Sequence, residues 1–71
     1  MSDHHTYKKL EIVGTSINGI EDAIQNAITE CSKSVKNMEW LEVSQVRGHI
    51  RDNKVDHYQV VIKIGFKIAD S

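Results

Sequence analysis

The 71-residue sequence has no proline, one cysteine, one tryptophan and four glycines. A single cysteine, Cys31, cannot close a disulfide within the chain, and no His/Cys spacing resembles a zinc site. Without either staple, a domain this short buries only about 60% of its unfolded surface and is marginal on its own, so oligomerisation is the expected source of further burial. Charge of one sign is also lacking. Nine basic and ten acidic residues give a formal net charge of -1, with no long run of either sign, which argues against a nucleic-acid or membrane-surface binder. No apolar stretch approaches the roughly 18 residues of a membrane span, and the start of the chain lacks the basic-then-apolar layout of a signal peptide. These absences predict a soluble, cytoplasmic protein. There is no repeat, linker or low-complexity tract, so residues 1–71 are read as one domain whose polar first six residues, with His4 and His5, form a flexible, solvated start. The missing proline permits long, uninterrupted strands.

What is there centres on the only tryptophan. In the run from Met38 to Ile50, Leu41 and Val43 alternate with polar neighbours, but the next apolar residues are Val46 and Ile50. The parity slips by one near Ser44-Gln45, and a β-bulge is the economical reason. With the bulge included, Leu41, Val43, Val46, Gly48 and Ile50 share the core face, and Trp40, Glu42, Arg47 and His49 share the opposite one. The indole is therefore aimed away from its own core. Left in water it would forgo roughly 1.5 to 3 kcal/mol of burial, so either another subunit or a flat ligand is expected to cover it.

Tyr7 to Val13 reads as a first strand, with Leu10 and Ile12 inward and Gly14 marking its end. Ser16 or Asn18 is a candidate N-cap, with Glu21 at the capping-box position for Asn18. Ile20, Ala23, Ile24, Ala27, Ile28, Cys31 and Val35 then recur at helical steps, predicting an amphipathic helix of about four turns. Early acids and the later Lys33 and Lys36 suit its dipole. Cys31 falls on the apolar stripe, the place of a packed thiol. After the Trp40 strand, Arg51-Asp52-Asn53-Lys54 reverses the chain through residues that tolerate positive φ. A third strand, from about Val55 to Ile68, turns Tyr58, Val60, Ile62, Ile64, Phe66 and Ile68 one way, and His57, Gln59, Val61, Lys63, Gly65 and Lys67 the other. The predicted fold is α+β, a single βαββ domain. Its hairpin strands, about 43 Å long at ~3.3 Å per residue, outrun a four-turn helix, so the hairpin must curl or project into neighbours.

The outward set combines a stacking plane (Trp40), an amide that donates and accepts side by side (Gln59) and cations (Arg47, Lys63, Lys67). A flat heteroaromatic with an imide edge and a phosphate would use all three, and a flavin nucleotide has that shape. A homo-oligomer contact explains the same face without a ligand, and the two readings are compatible if the pocket lies between subunits. His49 and His57, with Asp56 beside the latter, lack an activated nucleophile or second carboxylate, so catalysis is not expected. No metal site is expected either.

Nearly the whole chain resembles the dodecin family. The likeness is carried by Tyr7-Lys8-Lys9, Glu11-Ile12-Val13-Gly14-Thr15-Ser16, Ala23-Ile24-Gln25, Glu39-Trp40-Leu41-Glu42-Val43, Arg47-Gly48-His49, Tyr58-Gln59-Val60 and Ile64-Gly65-Phe66-Lys67. This resemblance implies a three-stranded antiparallel sheet partly wrapped around the helix, and a homododecameric shell built from trimers. It implies FMN storage or buffering, with riboflavin or FAD as alternatives, rather than catalysis. Flavin pairs would lie between symmetry-related copies of Trp40, with Gln59 on the pyrimidine edge, Arg47 closing the pocket, Lys67 near the phosphate, and Glu39 and His49 nearby. Relatives that also bind coenzyme A would do so at a surface corresponding to Tyr7, Lys8, Ser34 and Lys36. Here Glu30 stands where some carry a basic residue, and Lys67, where arginine is frequent, cannot make arginine's bidentate fork.

Overall fold

A computed structural model describes residues 4–68; of the expected solvated start, residues 1–3 lie outside the described residues. Four elements follow in order: β1 (Tyr7–Ser16), α1 (Ile20–Cys31), β2 (Met38–Arg51) and β3 (Lys54–Lys67). They form one antiparallel sheet in the order β1-β3-β2, with the helix on one side. The α+β, βαββ reading of the sequence holds.

β3 occupies the centre because its alternation is the cleanest in the chain. Val60, Ile62 and Ile64 are fully buried against Ala23 and Ala27 of α1, with Leu10, Ile12, Ile24, Ile28, Cys31 and Met38 packed around them. The two alanines let the helix come close to the sheet, and β1 supplies the matching gap. A methyl at Gly14 would collide with the Ala23 carbonyl oxygen and lie 2.8 Å from the Ala27 Cβ. Gly14 therefore does not end β1, as the sequence led one to expect; the strand runs on to Ser16, and the glycine marks where helix meets strand.

Neither expected N-cap is used. Gly19 holds the cap position in extended backbone, with no side-chain cap bond. Ser16 and Asn18 instead close the β1–α1 turn. The Ser16 hydroxyl donates to Asp22 Oδ2 at 2.6 Å and accepts the Asn18 N–H at 2.8 Å. Asp22 also receives the Asn18 and Asn26 side-chain amides at 3.4 and 3.3 Å, and these donors, Ser16 first and then Asn18, hold its carboxyl below the usual carboxylate range. The helix is also shorter than the apolar spacing indicated. It stops at Cys31, where the Ser32 hydroxyl turns back to the Thr29 carbonyl at 2.6 Å, so Val35 and the late lysines fall beyond its last turn.

The expected bulge is present at Ser44, between the pairs Val43–Ile62 and Gln45–Val61. Two others were not foreseen, at Glu39 of β2 and Asp56 of β3. Asp52 and Asn53 both adopt positive φ (52° and 65°), giving the tight two-residue turn read from the sequence. The expected core face of β2 needs correction. Its register does put Leu41, Val43, Val46 and Ile50 on the helix side, but these residues are 41%, 47%, 48% and 76% exposed. α1 packs on β1 and β3 and leaves the outer edge uncovered, and the hairpin projects to give an extent of 58 Å.

The helix–strand approach at Gly14 is directly testable. Gly14→Ala is expected to cost ~1–3 kcal/mol by overpacking, read as a fall of several degrees in the thermal midpoint at matched protein concentration. An unchanged midpoint would show that α1 does not depend on this gap.

Candidate functional site

The face of the sheet away from α1 gathers the outward residues of all three strands, and they fall into two groups. At one end lie Tyr7 and Lys9 of β1, Lys63, Gly65 and Lys67 of β3, and Trp40 and Glu42 of β2. At the other lie Thr15, Gln59 with its cross-strand partner Arg47, and His57 with its partner His49. Gly65 and Gln59 are six residues apart on one strand, about 20 Å at ~3.3 Å per residue. Trp40 and Gln59 thus share a face, yet one chain does not bring them together.

The tryptophan end is the more constructed of the two. Lys9, Gly65 and Trp40 form one cross-strand row, and Glu11, Lys63 and Glu42 form the next. Lacking a side chain, Gly65 leaves a floor on which the indole lies flat; any Cβ there would overlap ring atoms Cε2, Cζ2 and Cη2. Tyr7 meets the ring edge-on, with centroids 5.2 Å apart at 67°. The indole N–H donates to Glu42 Oε2 at 3.1 Å, and Lys9 Nζ lies 2.8 Å from the same oxygen. Trp40 remains 39% exposed. The ring thus rests on the glycine backbone while part of its surface stays exposed, and the single chain presents a preformed aromatic plane.

At the far end the rings of His49 and His57 stack at 4.3 Å and 15°, and His57 Nδ1 lies 2.9 Å from Asp56 Oδ2. Arg47 is turned along its own strand to the Gln45 side-chain oxygen. Glu39 is the unpaired residue of its bulge, and Lys67 stands on the outer face two residues beyond Gly65. Of the coenzyme A set, Tyr7 points to the outer face and contacts Trp40, and strand alternation sends Lys8 to the opposite face; Ser34 and Lys36 follow the helix. No group of three or more His, Cys, Asp or Glu that could hold a metal occurs among the described residues.

Sequence reasoning gave no site role to Gly65, Glu42 or Lys9. A glycine on the outward parity of a well-alternating strand was the available signal, but pairing it with Trp40 required the Asp56 bulge, which offsets the one at Ser44. Glu42's carboxyl is held below its ordinary value of 4.5, chiefly by the Lys9 contact and then by the indole N–H. A depressed folded value means the contact is intact above the ordinary range and is lost as pH falls through the lowered one. The near-UV circular dichroism of the lone indole is accordingly expected to hold on acidification past pH 4.5 and to change only below it. Lys9→Met should move that change upward; a wild-type transition at or above 4.5 would exclude the carboxylate as the indole's anchor.

Comparison with known proteins bears on both ends of this face. The profile of the Dodecin family matches residues 6–69. Dodecin of Thermus thermophilus is 43% identical over 65 residues, 92% of this chain and 94% of its own length. The structure of dodecin from Streptomyces coelicolor aligns with a TM-score of 0.91 at 44% identity, covering 99% of this chain and all of that one. Dodecin from Streptomyces davaonensis gives 0.90 at 42% identity over 97% of this chain and all of its own. A likeness that runs through every element, the strand of the stacking plane included, leaves one assignment: this chain belongs to the dodecin family.

Proposed function

We propose that the protein binds and buffers flavin, FMN foremost and riboflavin or FAD as alternatives, in a dodecameric shell, without catalysing a reaction. The observation that carries this reading is the Trp40 indole, laid flat on Gly65 with its other face open. Membership of the dodecin family supports it. A surface aromatic whose buried side rests on bare backbone presents its whole outer face to a planar ring, and stacking of a heteroaromatic on such a side chain contributes roughly 1–3 kcal/mol.

The roles of the other residues follow from their separation. Gln59 is too far along β3 to serve the ring stacked on Trp40 of its own chain, so in this reading a neighbouring copy supplies it, with Arg47 beside it. Lys67, near the Trp40 end, is suited to a phosphate as a point charge. The exposed Leu41, Val43, Val46 and Ile50 supply apolar surface for such an assembly, which also answers the shortage of burial in a chain of this length. When bound, a flavin supplies a light-absorbing ring whose excited state accepts an electron from a stacked indole. Trp40 would then shorten the excited state and limit photochemistry.

Titrating the protein into FMN tests this. Wild type should quench flavin emission to a defined stoichiometry, and Trp40→Ala should lose both the quenching and about ten- to a hundredfold in affinity, the equivalent of ~1–3 kcal/mol. Absence of quenching by either protein would leave Trp40 as the anchor of a plain oligomer contact, the interaction-module reading.

A further inference from the structure

The stacking plane is held by more than its floor. A tryptophan on a strand turns about two side-chain bonds, and ordering such a side chain on binding weakens the complex. Here that ordering precedes the ligand. Trp40 and Glu42 are two residues apart on β2, so their side chains stand on the same face. The Glu42 carboxylate reaches back to the indole N–H at 3.1 Å and so fixes the ring's rotation. The carboxylate is itself held from the other side of the sheet. Lys9 comes from β1, two strands and about 10 Å away, and its ammonium lies 2.8 Å from the same Glu42 oxygen. Lys9 stands in the Gly65–Trp40 row and Glu42 in the adjacent Lys63 row, so the lysine reaches diagonally over the central strand, beside the ring, to the carboxylate. Lys63 adds positive potential beside Glu42, and Tyr7 closes the remaining edge of the ring.

We propose that Lys9 and Glu42 are positioning residues: they clamp the Trp40 indole in the single orientation in which its open face receives a planar ring. This rests on the stacked-flavin reading given above and assigns to one chain's outer edge strands a shared task, with β1 supplying the cation and β2 the plane. An ion pair with both side chains 47% exposed adds little to folding stability. Its consequence falls instead on the order of the free site, and hence on affinity and on how uniformly the indole quenches.

The test uses the full chain as wild type, Glu42→Ala, Glu42→Gln and Lys9→Met, with Trp40→Ala as reference, and FMN as the ligand. Two quantities are read: hydrogen exchange of the lone indole N–H by NMR without ligand, and FMN affinity together with the residual emission of bound FMN. Glu42→Ala is expected to exchange its indole proton faster, to bind FMN about three- to tenfold more weakly, and to leave a multi-exponential residual emission, all with the melting midpoint nearly unchanged. Glu42→Gln, whose amide oxygen still accepts the indole proton but no longer pairs ionically with Lys9, should fall between wild type and Glu42→Ala. Lys9→Met should shift in the direction of Glu42→Ala and serves as the second variant if that protein folds poorly. The clamp is overturned if Glu42→Ala and Lys9→Met both bind and quench like wild type, or if Glu42→Gln is as impaired as Glu42→Ala. Failure of the flavin reading has a different signature: wild type and Trp40→Ala then treat FMN alike, whatever the indole exchange shows.

Discussion

One helix of 12 residues has to serve a sheet whose hairpin strands are 14 residues each. At about 1.5 Å per residue the helix reaches roughly 18 Å, against roughly 46 Å for a strand at about 3.3 Å per residue. Most of the architecture follows from this shortfall. The helix settles where it can approach closest, on Gly14 and the central strand, and buries Val60, Ile62 and Ile64. Everything it fails to cover, the helix-side edge of β2 and the whole opposite face, is left for other molecules. The proposed flavin site lies on that uncovered area.

Both uncovered surfaces were partly visible in the sequence. The alternation of β3 and the parity slip at Ser44 fix which side chains face outward, so Trp40, Arg47 and Gln59 could be assigned to one face before any coordinates. The Asp52-Asn53 turn was equally legible, because few residues accept positive φ in succession. What could not be read was contact between distant positions. Gly14 looks like a strand terminator until the helix alanines are seen against it. Asn18 has the spacing of a capping box, but the Ser16 hydroxyl and the Asp22 carboxylate compete for it and win. The exposure of Leu41 and Val43 depends on where the helix lies across the sheet, which no local pattern records. The Lys9–Glu42 contact joins residues 33 positions apart across a third strand, and only the register of all three brings them together.

The two ends of the outer face express different physics. At the Trp40 end a glycine, a tyrosine edge and a carboxylate fix one aromatic ring, and the site is rigid within the single chain. At the Gln59 end the polar groups engage one another: Arg47 turns to Gln45, and the histidine rings stack. Their side chains lie along the sheet surface, about 20 Å from the ring they are proposed to complement. In the proposed flavin site a pocket joining both kinds of surface takes two copies, and assembly and ligand binding would then draw on the same face and be thermodynamically linked.

The bulges of the hairpin carry a further meaning. β2 is an edge strand with no proline, and a straight edge of its length would template another strand, and another after that. The register shifts at Glu39, Ser44 and Asp56 divide the β2–β3 ladder, and its longest regular stretch of β2 is Gln45–His49. That is shorter than the six- or seven-residue segments from which cross-β fibrils grow. The same irregularity that turns Trp40 and Arg47 to one side therefore interrupts the β2 edge as a template for further strands, whichever partner that edge meets.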